Sequence, residues 1–415
     1  MRAVVLSGGG SKGAYEIGVW KALRKLQISY DIVTGTSVGA LNAAFMVQKD
    51  YFKGLLMWYN LKSEMVYDAS MKIKTNKDFL KYTKKIIEDK GLAVDNLEMT
   101  VKKYLNTKKI YKSNVDLGIV TVKVPGLEPV ELTKKDIPSD KLADYLVASA
   151  SCFPAFPAKK IDGSSYIDGG FYDNLPINLA ISMGASEVIA VDLDAIGIKR
   201  RVKDQSVPVH LITPKSDTGS FLVFDKVTSR KCIALGYNDT MKSYGKLDGD
   251  VFTFKKNSLK NNYVKNKDKY LEALHSILDK DNQGLFSKLV HLSIYDALLS
   301  NRKTELSEKR LFSKFNEIVE SVGKIFNVDQ TKIYTMSKYH KIIYEKVHSI
   351  TEEEISIVYN QKSNEKLKYL FQDDLMVAYL YDCLLKKQNL KDISNIIVIF
   401  PNDFLCALYL YIVLS

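Results

Sequence analysis

The spacing of apolar residues in the first half of the chain switches between the period of strands and that of helices. Residues 2–7 form a short apolar, β-branched run that predicts a buried strand, and residues 14–26 carry apolar side chains at helical spacing. A second strand is expected over residues 31–34, followed by a helix of small residues over 38–47. Further strand-like runs cover residues 117–124, 187–192 and 207–213. This alternation predicts an α/β domain.

The second half of the chain has a different pattern. Beyond Lys255, glycine and proline nearly vanish, and long helices rich in Lys, Glu, Leu and Tyr are expected up to about residue 390. We therefore place a domain boundary near Lys256, with residues 251–254 as the last strand before it. The predicted domains are residues 1–255, which contain the candidate chemistry described below, and residues 256–415, a helical domain of unknown role.

Two apolar runs, residues 396–400 and 404–415, follow that helical region. Each is shorter than the about 20 residues that a helix needs to span a bilayer, and Pro401 and Asp403 lie between them. We expect a buried strand followed by a buried helix, with a membrane-inserting tail as the alternative.

The clearest chemical signal is the pentapeptide Gly35-Thr36-Ser37-Val38-Gly39 between the second strand and the small-residue helix. It fits the nucleophile elbow, in which a serine occupies a sharp strand-to-helix turn and the glycines on either side let the backbone pack closely. The pattern is short and occurs by chance, but the predicted strand before it and helix after it supply the required context. Ser37 is therefore the candidate nucleophile.

A glycine-rich loop follows the first strand, and its bare amides could donate to an oxyanion. Its residues are Gly8, Gly9, Gly10, Ser11, Lys12 and Gly13. One such donor typically stabilises a transition state by about 3–4 kcal/mol. The same loop also fits a dinucleotide-binding fingerprint, which expects an acidic residue about twenty positions further on, at the end of the second strand. Asp31 has nearly the right count but opens that strand, so we favour the oxyanion interpretation. A Walker-type phosphate loop fits less well, because Lys12 stands in the wrong order relative to glycine.

The base that activates Ser37 has two candidates. Among five histidines, His210 lies in a strand-like run, and the order Ser37, Asp168, His210 would match a hydrolase triad. Asp168 is favoured as the base itself, because it ends a predicted hairpin and Gly169 and Gly170 let the chain turn sharply after it. The other Asp-Gly dipeptide in this segment, Asp162-Gly163, is interpreted as the turn of that hairpin.

Taken together and in this order, the glycine loop, the elbow around Ser37 and the Asp168-Gly169-Gly170 turn resemble the patatin-like phospholipases. This family includes calcium-independent phospholipase A enzymes and neuropathy-target-esterase-like lysophospholipases. Residues 148–157 are similar to a family segment near the catalytic cleft. The family often has arginine where this chain has Lys12, so the positive charge is kept. The resemblance covers about the first 255 residues and implies a three-layer α/β/α sandwich with a mainly parallel sheet, followed here by a mainly α-helical C-terminal domain.

The resemblance also implies a serine–aspartate dyad without histidine, an oxyanion hole in the glycine loop, and hydrolysis of phospholipids or lysophospholipids through an acyl-enzyme. An ordinary aspartate has a pKa of about 3.9 and is a weak base at neutral pH. We therefore expect Asp168 to be shielded from water, with Phe153, Phe156 and Phe171 contributing to the shielding.

Net charge and cysteine content extend this picture to partners and location. A net charge of +12 and a pI of about 9.1 favour peripheral contact with an anionic membrane surface. No nucleic acid is expected, because no finger, basic zipper or RNA-binding signature is present. Four widely spaced cysteines predict no disulfide framework and no zinc site, so we expect a cytoplasmic setting, peripheral at membranes, and secretion into a host cell fits the same composition. No cofactor or metal is expected, and a protein activator is compatible with the sequence.

Two other functions remain open at this point. One is a soluble serine esterase that uses a Ser37, Asp168 and His210 triad. The other is a non-catalytic protein whose helical half binds a partner, although the intact elbow and the intact turn after Asp168 weigh against it.

Overall fold

A computed structural model of the chain describes residues 1–66, 95–279, 305–359, 372–388 and 394–414. The chain divides into two units, Met1–Tyr244 and Gly245–Ser415.

The first unit is built from eight strands and, in its described residues, eight helices. The strands are β1 (Arg2–Leu6), β2 (Ile32–Thr36), β3 (Asp116–Val124), β4 (Glu128–Thr133), β5 (Lys159–Ile161), β6 (Ser164–Asp168), β7 (Glu187–Val191) and β8 (Val209–Ile212). The helices are α1 (Ala14–Lys25), α2 (Val38–Val47), α3 (Tyr51–Asn60), α4 (Asp95–Tyr104), α5 (Thr107–Lys112), α6 (Leu142–Ser149), α7 (Ile177–Ser182) and α8 (Lys226–Ser243). Short 3-10 turns cover Gly10–Gly13, Ser63–Met65 and Gly169–Phe171.

All eight strands form one sheet whose central part is parallel. The order β3-β2-β1-β7-β8 is parallel throughout, whereas β4, β6 and β5 add antiparallel pairs at the β3 side. Strands β1 and β2 therefore end at the same edge of the sheet, which brings the glycine loop after β1 beside the elbow after β2. The prediction of an α/β domain with a mainly parallel sheet is confirmed.

The carboxyl ends of strands β2 and β6 meet because both strands pair with the same edge of β3. Thr36, the last residue of β2, pairs with Val120, and Asp168, the last residue of β6, pairs with the next residue, Thr121. β4 pairs with β3 across both regions, so it occupies the opposite edge. Strand β6 thus lies in line with β2 along the same edge of β3 but runs in the opposite direction. The carboxyl ends of the two strands therefore face each other.

Side chains alternate across the sheet and bury two separate apolar layers. Along β1, Val4 and Leu6 join the large core that contains residues of α1, α2 and α6. Ala3 and Val5 point to the other face and pack in a smaller core with Ile177 of α7. Helices therefore cover both faces of the sheet, which makes the unit a three-layer α/β/α sandwich.

The second unit combines helices with a small sheet. Its strands are β9 (Leu247–Asp248), β10 (Thr253–Lys255) and β11 (Ile333–Tyr334). Its described helices are α9 (Ser258–Asp279), α10 (Glu305–Ile325), α11 (Met336–Val347), α12 (Glu352–Tyr359), α13 (Asp373–Leu385), α14 (Ser394–Ile399) and α15 (Pro401–Leu414). The mainly helical composition agrees with the prediction.

The boundary between the units differs from the predicted one. The chain divides after Tyr244 instead of after Lys255. The strand expected to close the first domain belongs to the second unit, because β10 pairs with β9 and β11, and Phe252 and Phe254 are fully buried in the second core. A strand-like run shows that a strand exists but not which sheet it joins.

The expected strand over residues 396–400 is wrong, because Ser394–Ile399 form helix α14. A short apolar run with β-branched residues fits a buried helix as well as a strand, and periodicity alone does not separate the two. The helix expected after it is present as α15, in which Phe404 and Leu408 are fully buried. In the described part of the chain, every helix is either too short or too polar to span a bilayer.

Candidate active site

Ser37 occupies the turn between β2 and α2 with an unusual backbone conformation. Its φ of 57° and ψ of −128° are rarely adopted by residues other than glycine and store strain at the turn. The Ser37 N–H donates to Ser149 Oγ over 2.9 Å, and the Ser149 hydroxyl donates to the Val120 carbonyl over 2.7 Å. Ser149 on α6 therefore ties the strained turn to β3.

The two glycines of the elbow have no room for a side chain. A Cβ at Gly35 would collide with the Gly39 carbonyl oxygen, and a Cβ at Gly39 would collide with the Leu6 carbonyl oxygen. The turn is therefore as tight as the sequence pattern requires.

Asp168 faces Ser37 from the end of β6 and is only 4% exposed. The Ser37 side chain lies close enough to favour the charged form of this carboxyl group, and the Gly170 N–H donates to Oδ1 over 2.7 Å. Burial raises the pKa of Asp168 to about 6, although both of these neighbours favour the charged form and oppose the shift. The expected shielding of this carboxyl group is therefore present.

The three phenylalanines expected around Asp168 differ in exposure. Phe156 is 6% exposed, whereas Phe153 and Phe171 are 54% and 43% exposed. Phe153 and Phe171 lie in the turns that follow α6 and β6, so their rings partly reach solvent, and Phe171 also lines the cavity at Asp168. Their contribution to the shielding of Asp168 stays a prediction.

The glycine loop offers fewer donors than its sequence suggested. The Gly8 N–H donates to the Asn174 carbonyl over 3.1 Å, the Ser11 N–H to Phe221 O over 2.8 Å, and the Lys12 N–H to Gly9 O over 3.2 Å. Gly13 lies at the end of the 3-10 turn that begins at Gly10. The amides of Gly9 and Gly10 donate to no atom in the described residues, and both residues line the cavity described below.

The Val38 amide is the third N–H at this site, after those of Gly9 and Gly10, that has no acceptor in the described residues. It was not predicted from the sequence. Val38 is the first residue of α2, so its N–H has no acceptor within the helix, and it bonds to nothing in the described part of the chain. The sequence did contain the signal, since the residue after an elbow nucleophile commonly supplies an oxyanion donor.

Asn174 holds the glycine loop from the side of the Asp168 turn. Its Nδ2 donates to the Gly8 carbonyl over 3.3 Å, while its own carbonyl accepts from the Gly8 N–H. A Cβ at Gly8 would collide with this side chain. The segment after Gly170 therefore positions the loop after β1.

His210 lies far from this constellation. It is on β8, three strands from β2, where its Nε2 is 3.0 Å from Ser243 Oγ and its ring stacks on Tyr244 with the centroids 4.5 Å apart. It does not line the cavity at Ser37. The structure therefore does not bring His210 to Ser37, and the triad alternative is wrong.

The structure also argues against a dinucleotide-binding site, because the candidate acidic residue lies at the wrong end of β2. Asp31 precedes β2, at the opposite end from the glycine loop, and its Oδ2 accepts the Arg2 N–H over 2.9 Å. The strand end that a ribose-binding acid would occupy is taken by the Ser37 turn.

A cavity of about 650 Å³ opens at Ser37 and Asp168. Apart from the residues above, its lining is mostly apolar and comes from α2, α3, α4 and α6, with Leu41, Phe45, Met57, Trp58, Leu97, Val101 and Leu146 among it. In the described residues, no group of three His, Cys, Asp or Glu side chains is arranged to hold a metal ion.

Residues 4–181 match a family model described as Patatin-like phospholipase. The chain is 26% identical over 204 residues to lysophospholipase NTE1 of Mycosarcoma maydis, and 27% identical over 202 residues to patatin-like phospholipase domain-containing protein 6 of Homo sapiens. Both alignments cover 46% of this chain but only 10% and 13% of the relatives, so the chain spans about a tenth of their length.

Two solved structures show some similarity over most of the chain. VipD from Legionella pneumophila has a TM-score of 0.36 at 15% identity, with 100% of this chain and 91% of that chain covered. The type III effector ExoU has a TM-score of 0.30 at 14% identity, with 93% and 88% covered.

Proposed function

We propose that this chain, whose residues 4–181 match the patatin-like phospholipase family model, hydrolyses carboxylic esters of phospholipids or lysophospholipids through a Ser37–Asp168 dyad. The observation that carries the proposal is that Ser37 and a buried Asp168, whose pKa is raised to about 6, line the same cavity and that the Ser37 side chain acts on this carboxyl group. A carboxylate with that pKa is a better base near neutral pH than an ordinary aspartate.

In the first half of the reaction, Ser37 Oγ attacks the ester carbonyl carbon while its proton passes to Asp168. The tetrahedral intermediate collapses when the C–O bond to the lipid alcohol breaks, and that alcohol leaves with the proton from Asp168. The acyl group remains as an ester on Ser37. In the second half, a water gives its proton to Asp168 and attacks this ester, and the proton returns to Ser37 Oγ as the fatty acid departs.

The oxyanion of both tetrahedral intermediates needs fixed donors. We assign this role to the amides of Gly9, Gly10 and Val38, because they are unbonded in the described residues and Gly9, Gly10 and Val38 all line the cavity at Ser37. In this proposal the other loop residues maintain the conformation of the loop, and their amides do not donate to the oxyanion. These residues are Gly8, Ser11, Lys12 and Gly13.

The raised pKa of Asp168 predicts the pH dependence of the reaction. Asp168 must be deprotonated to accept the serine proton, so kcat/KM for a soluble ester should fall about tenfold per pH unit below about pH 6 and level off above it. A pH–rate profile of the native chain measures this limb.

Asp173 supplies the control for that profile. It is also buried, its pKa is also raised to about 6 by burial, and its Oδ1 accepts the Leu175 and Arg200 N–H groups. The limb near pH 6 should persist in Asp173→Asn. Its disappearance there, or a profile that is flat down to pH 4.5 in the native chain, would contradict the assignment of the base to Asp168.

The cavity mouth carries apolar side chains that face solvent. Ile196 is 94% exposed, Ile198 is 54% exposed and Phe171 is 43% exposed, although all three line the cavity. The segment is held in place, since the Ile198 N–H donates to Gly170 O over 2.9 Å and the Asn174 N–H donates to Ile198 O over 2.6 Å. The next residues of the loop are Lys199, Arg200 and Arg201, which are exposed and basic. This combination suits an anionic phospholipid surface, with apolar side chains entering the acyl region and cations facing headgroups.

Vesicle binding by a Ser37→Ala chain tests this docking surface without consuming lipid. We expect binding to vesicles of phosphatidylcholine with phosphatidylglycerol, weakened by salt, and a loss of about tenfold or more in the added Ile196→Ser/Ile198→Ser pair. Leu211→Ser is the matched control, because Leu211 is 53% exposed on the outer strand β8. Equal binding by the isoleucine pair and its parent would disprove the surface.

A further inference from the structure

The cavity behind Ser37 follows helix α2 over its whole length. Leu41, Ala44 and Phe45 line it at helical spacing, and Gln48, just past the end of α2, lines it as well. Helix α2 therefore gives the cavity one continuous wall that runs from Ser37 to Gln48.

The wall opposite α2 is apolar and interior. Met57 and Trp58 of α3 and Leu97 and Val101 of α4 line it and are between 1% and 9% exposed. The polar Thr100 faces the same space, but its Oγ1 already donates to the Met65 carbonyl over 2.8 Å. Such a channel suits a hydrocarbon chain, since a polar ligand would lose its hydration there.

Gln48 closes the far end. It is 4% exposed, its Nε2 donates to Tyr104 O over 3.3 Å and its Oε1 accepts the Asn106 N–H over 2.9 Å, so the side chain is fastened at both polar atoms. Gln48 also lines a separate surface groove together with Lys49 and Lys112. Gln48 thus borders both the channel and the surface groove.

We propose that this channel binds one extended acyl chain and that Gln48 limits the length of chain it holds. The inference rests on the proposed function for the identity of the ligand. Gln48 lies eleven positions after Ser37, and eleven helical rises correspond to about 16 Å. An extended hydrocarbon advances about 1.3 Å per C–C bond, so the channel accommodates about 12 to 14 carbons measured from the carbonyl at Ser37.

Binding of saturated fatty acids of graded length to the Ser37→Ala chain tests the limit. Trp58 in the channel wall is one of only two tryptophans, so intrinsic fluorescence reports occupancy. Affinity should rise about fourfold per methylene up to about 12 to 14 carbons and then level off. Affinity that keeps rising through 18 carbons would overturn the proposal.

Two substitutions should move the limit in opposite directions. Gln48→Ala opens the channel into the surface groove and should extend the rise to longer chains. Ala44→Leu places a branched side chain in the channel seven residues from Ser37, about 10 Å along the helix, and should end the rise near eight carbons. Lys112→Ala, which changes the groove but not the channel, is the control and should leave the limit in place.

The outcomes separate this inference from the proposed function. A chain-length limit that Gln48→Ala does not shift would contradict the role of Gln48, whatever the catalytic activity and whatever the effect of Ala44→Leu. If the native chain hydrolyses no ester but the limits shift as described, only the catalytic proposal fails. Should Gln48→Ala not fold, Ala44→Leu still tests whether the acyl chain occupies this channel, and an unshifted limit in that variant would overturn the proposal.

Discussion

Asp168→Asn should lower kcat/KM for a soluble ester by about 10³–10⁴-fold while leaving the fold intact. Asparagine keeps the shape of the side chain, and its Oδ1 can still accept the Gly170 N–H that the carboxylate accepts over 2.7 Å. It has no basic oxygen to take the Ser37 proton. The expected loss is therefore in kcat, measured by steady-state kinetics, with little change in KM.

The same substitution should stabilise the protein at neutral pH. Because the pKa of Asp168 is raised to about 6 in the folded chain, above an unfolded value of about 3.9, the folded state loses stability as the pH rises through this window. Removing the ionisable group should raise the free energy of unfolding at pH 7–8 by on the order of 3 kcal/mol. Thermal melts at pH 5 and pH 8 measure this, with a gain at pH 8 about twice that at pH 5.

Asp162→Asn is the matched control for both effects. Asp162 opens the turn of the same hairpin, its side chain is 68% exposed, and it pairs with Lys141 over 2.6 Å. It should retain native kinetics and gain no stability at pH 8. Full activity in Asp168→Asn, or an equal loss in Asp162→Asn, would remove Asp168 from the reaction.

Gly10→Ala should lower kcat by about 10²–10³-fold, because it disturbs the donors to the oxyanion. Gly10 has φ +57°, which alanine adopts at a cost, and the new Cβ would collide with the Phe221 carbonyl oxygen. That oxygen also accepts the Ser11 N–H, so relief of the collision must move the loop or break this bond. Either movement displaces the Gly9 and Gly10 amides from their positions beside Ser37.

Gly163→Ala separates a loop effect from a general cost of positive φ. Gly163 has φ +80°, and a Cβ at this position would have no heavy atom within 4 Å. Alanine there therefore introduces the backbone strain without a collision. It should reduce stability slightly and leave kcat unchanged. If Gly10→Ala turns over at the native rate, the oxyanion assignment is wrong.

Local sequence was sufficient to predict the elements that carry the candidate site. The elbow at Ser37, the strand before it and the helix after it depend on residues that are close together in the chain, and they form where periodicity and glycine spacing placed them. The approach of Asp168 to Ser37 was suggested by family resemblance. Its physical cause, β6 taking over the edge of β3 where β2 ends, depends on strand register and cannot be derived from either segment alone.

Other features were missed because they depend on distant partners. The support of Ser37 by Ser149 and the engagement of the Gly8 and Ser11 amides involve residues more than a hundred positions away. The domain boundary shifted for the same reason, since β10 joins a sheet with a strand that lies almost eighty residues further along the chain. Apolar periodicity records burial but not the partner against which a segment is buried.

Fatty-acid release from phospholipid vesicles in EDTA, by the native chain and by Ser37→Ala, tests the central claim most directly. Release by the native chain that Ser37→Ala abolishes is the predicted result. Equal release by both chains, or none from the native chain on phospholipid and lysophospholipid vesicles alike, would contradict a lipid acyl hydrolase with Ser37 as its nucleophile.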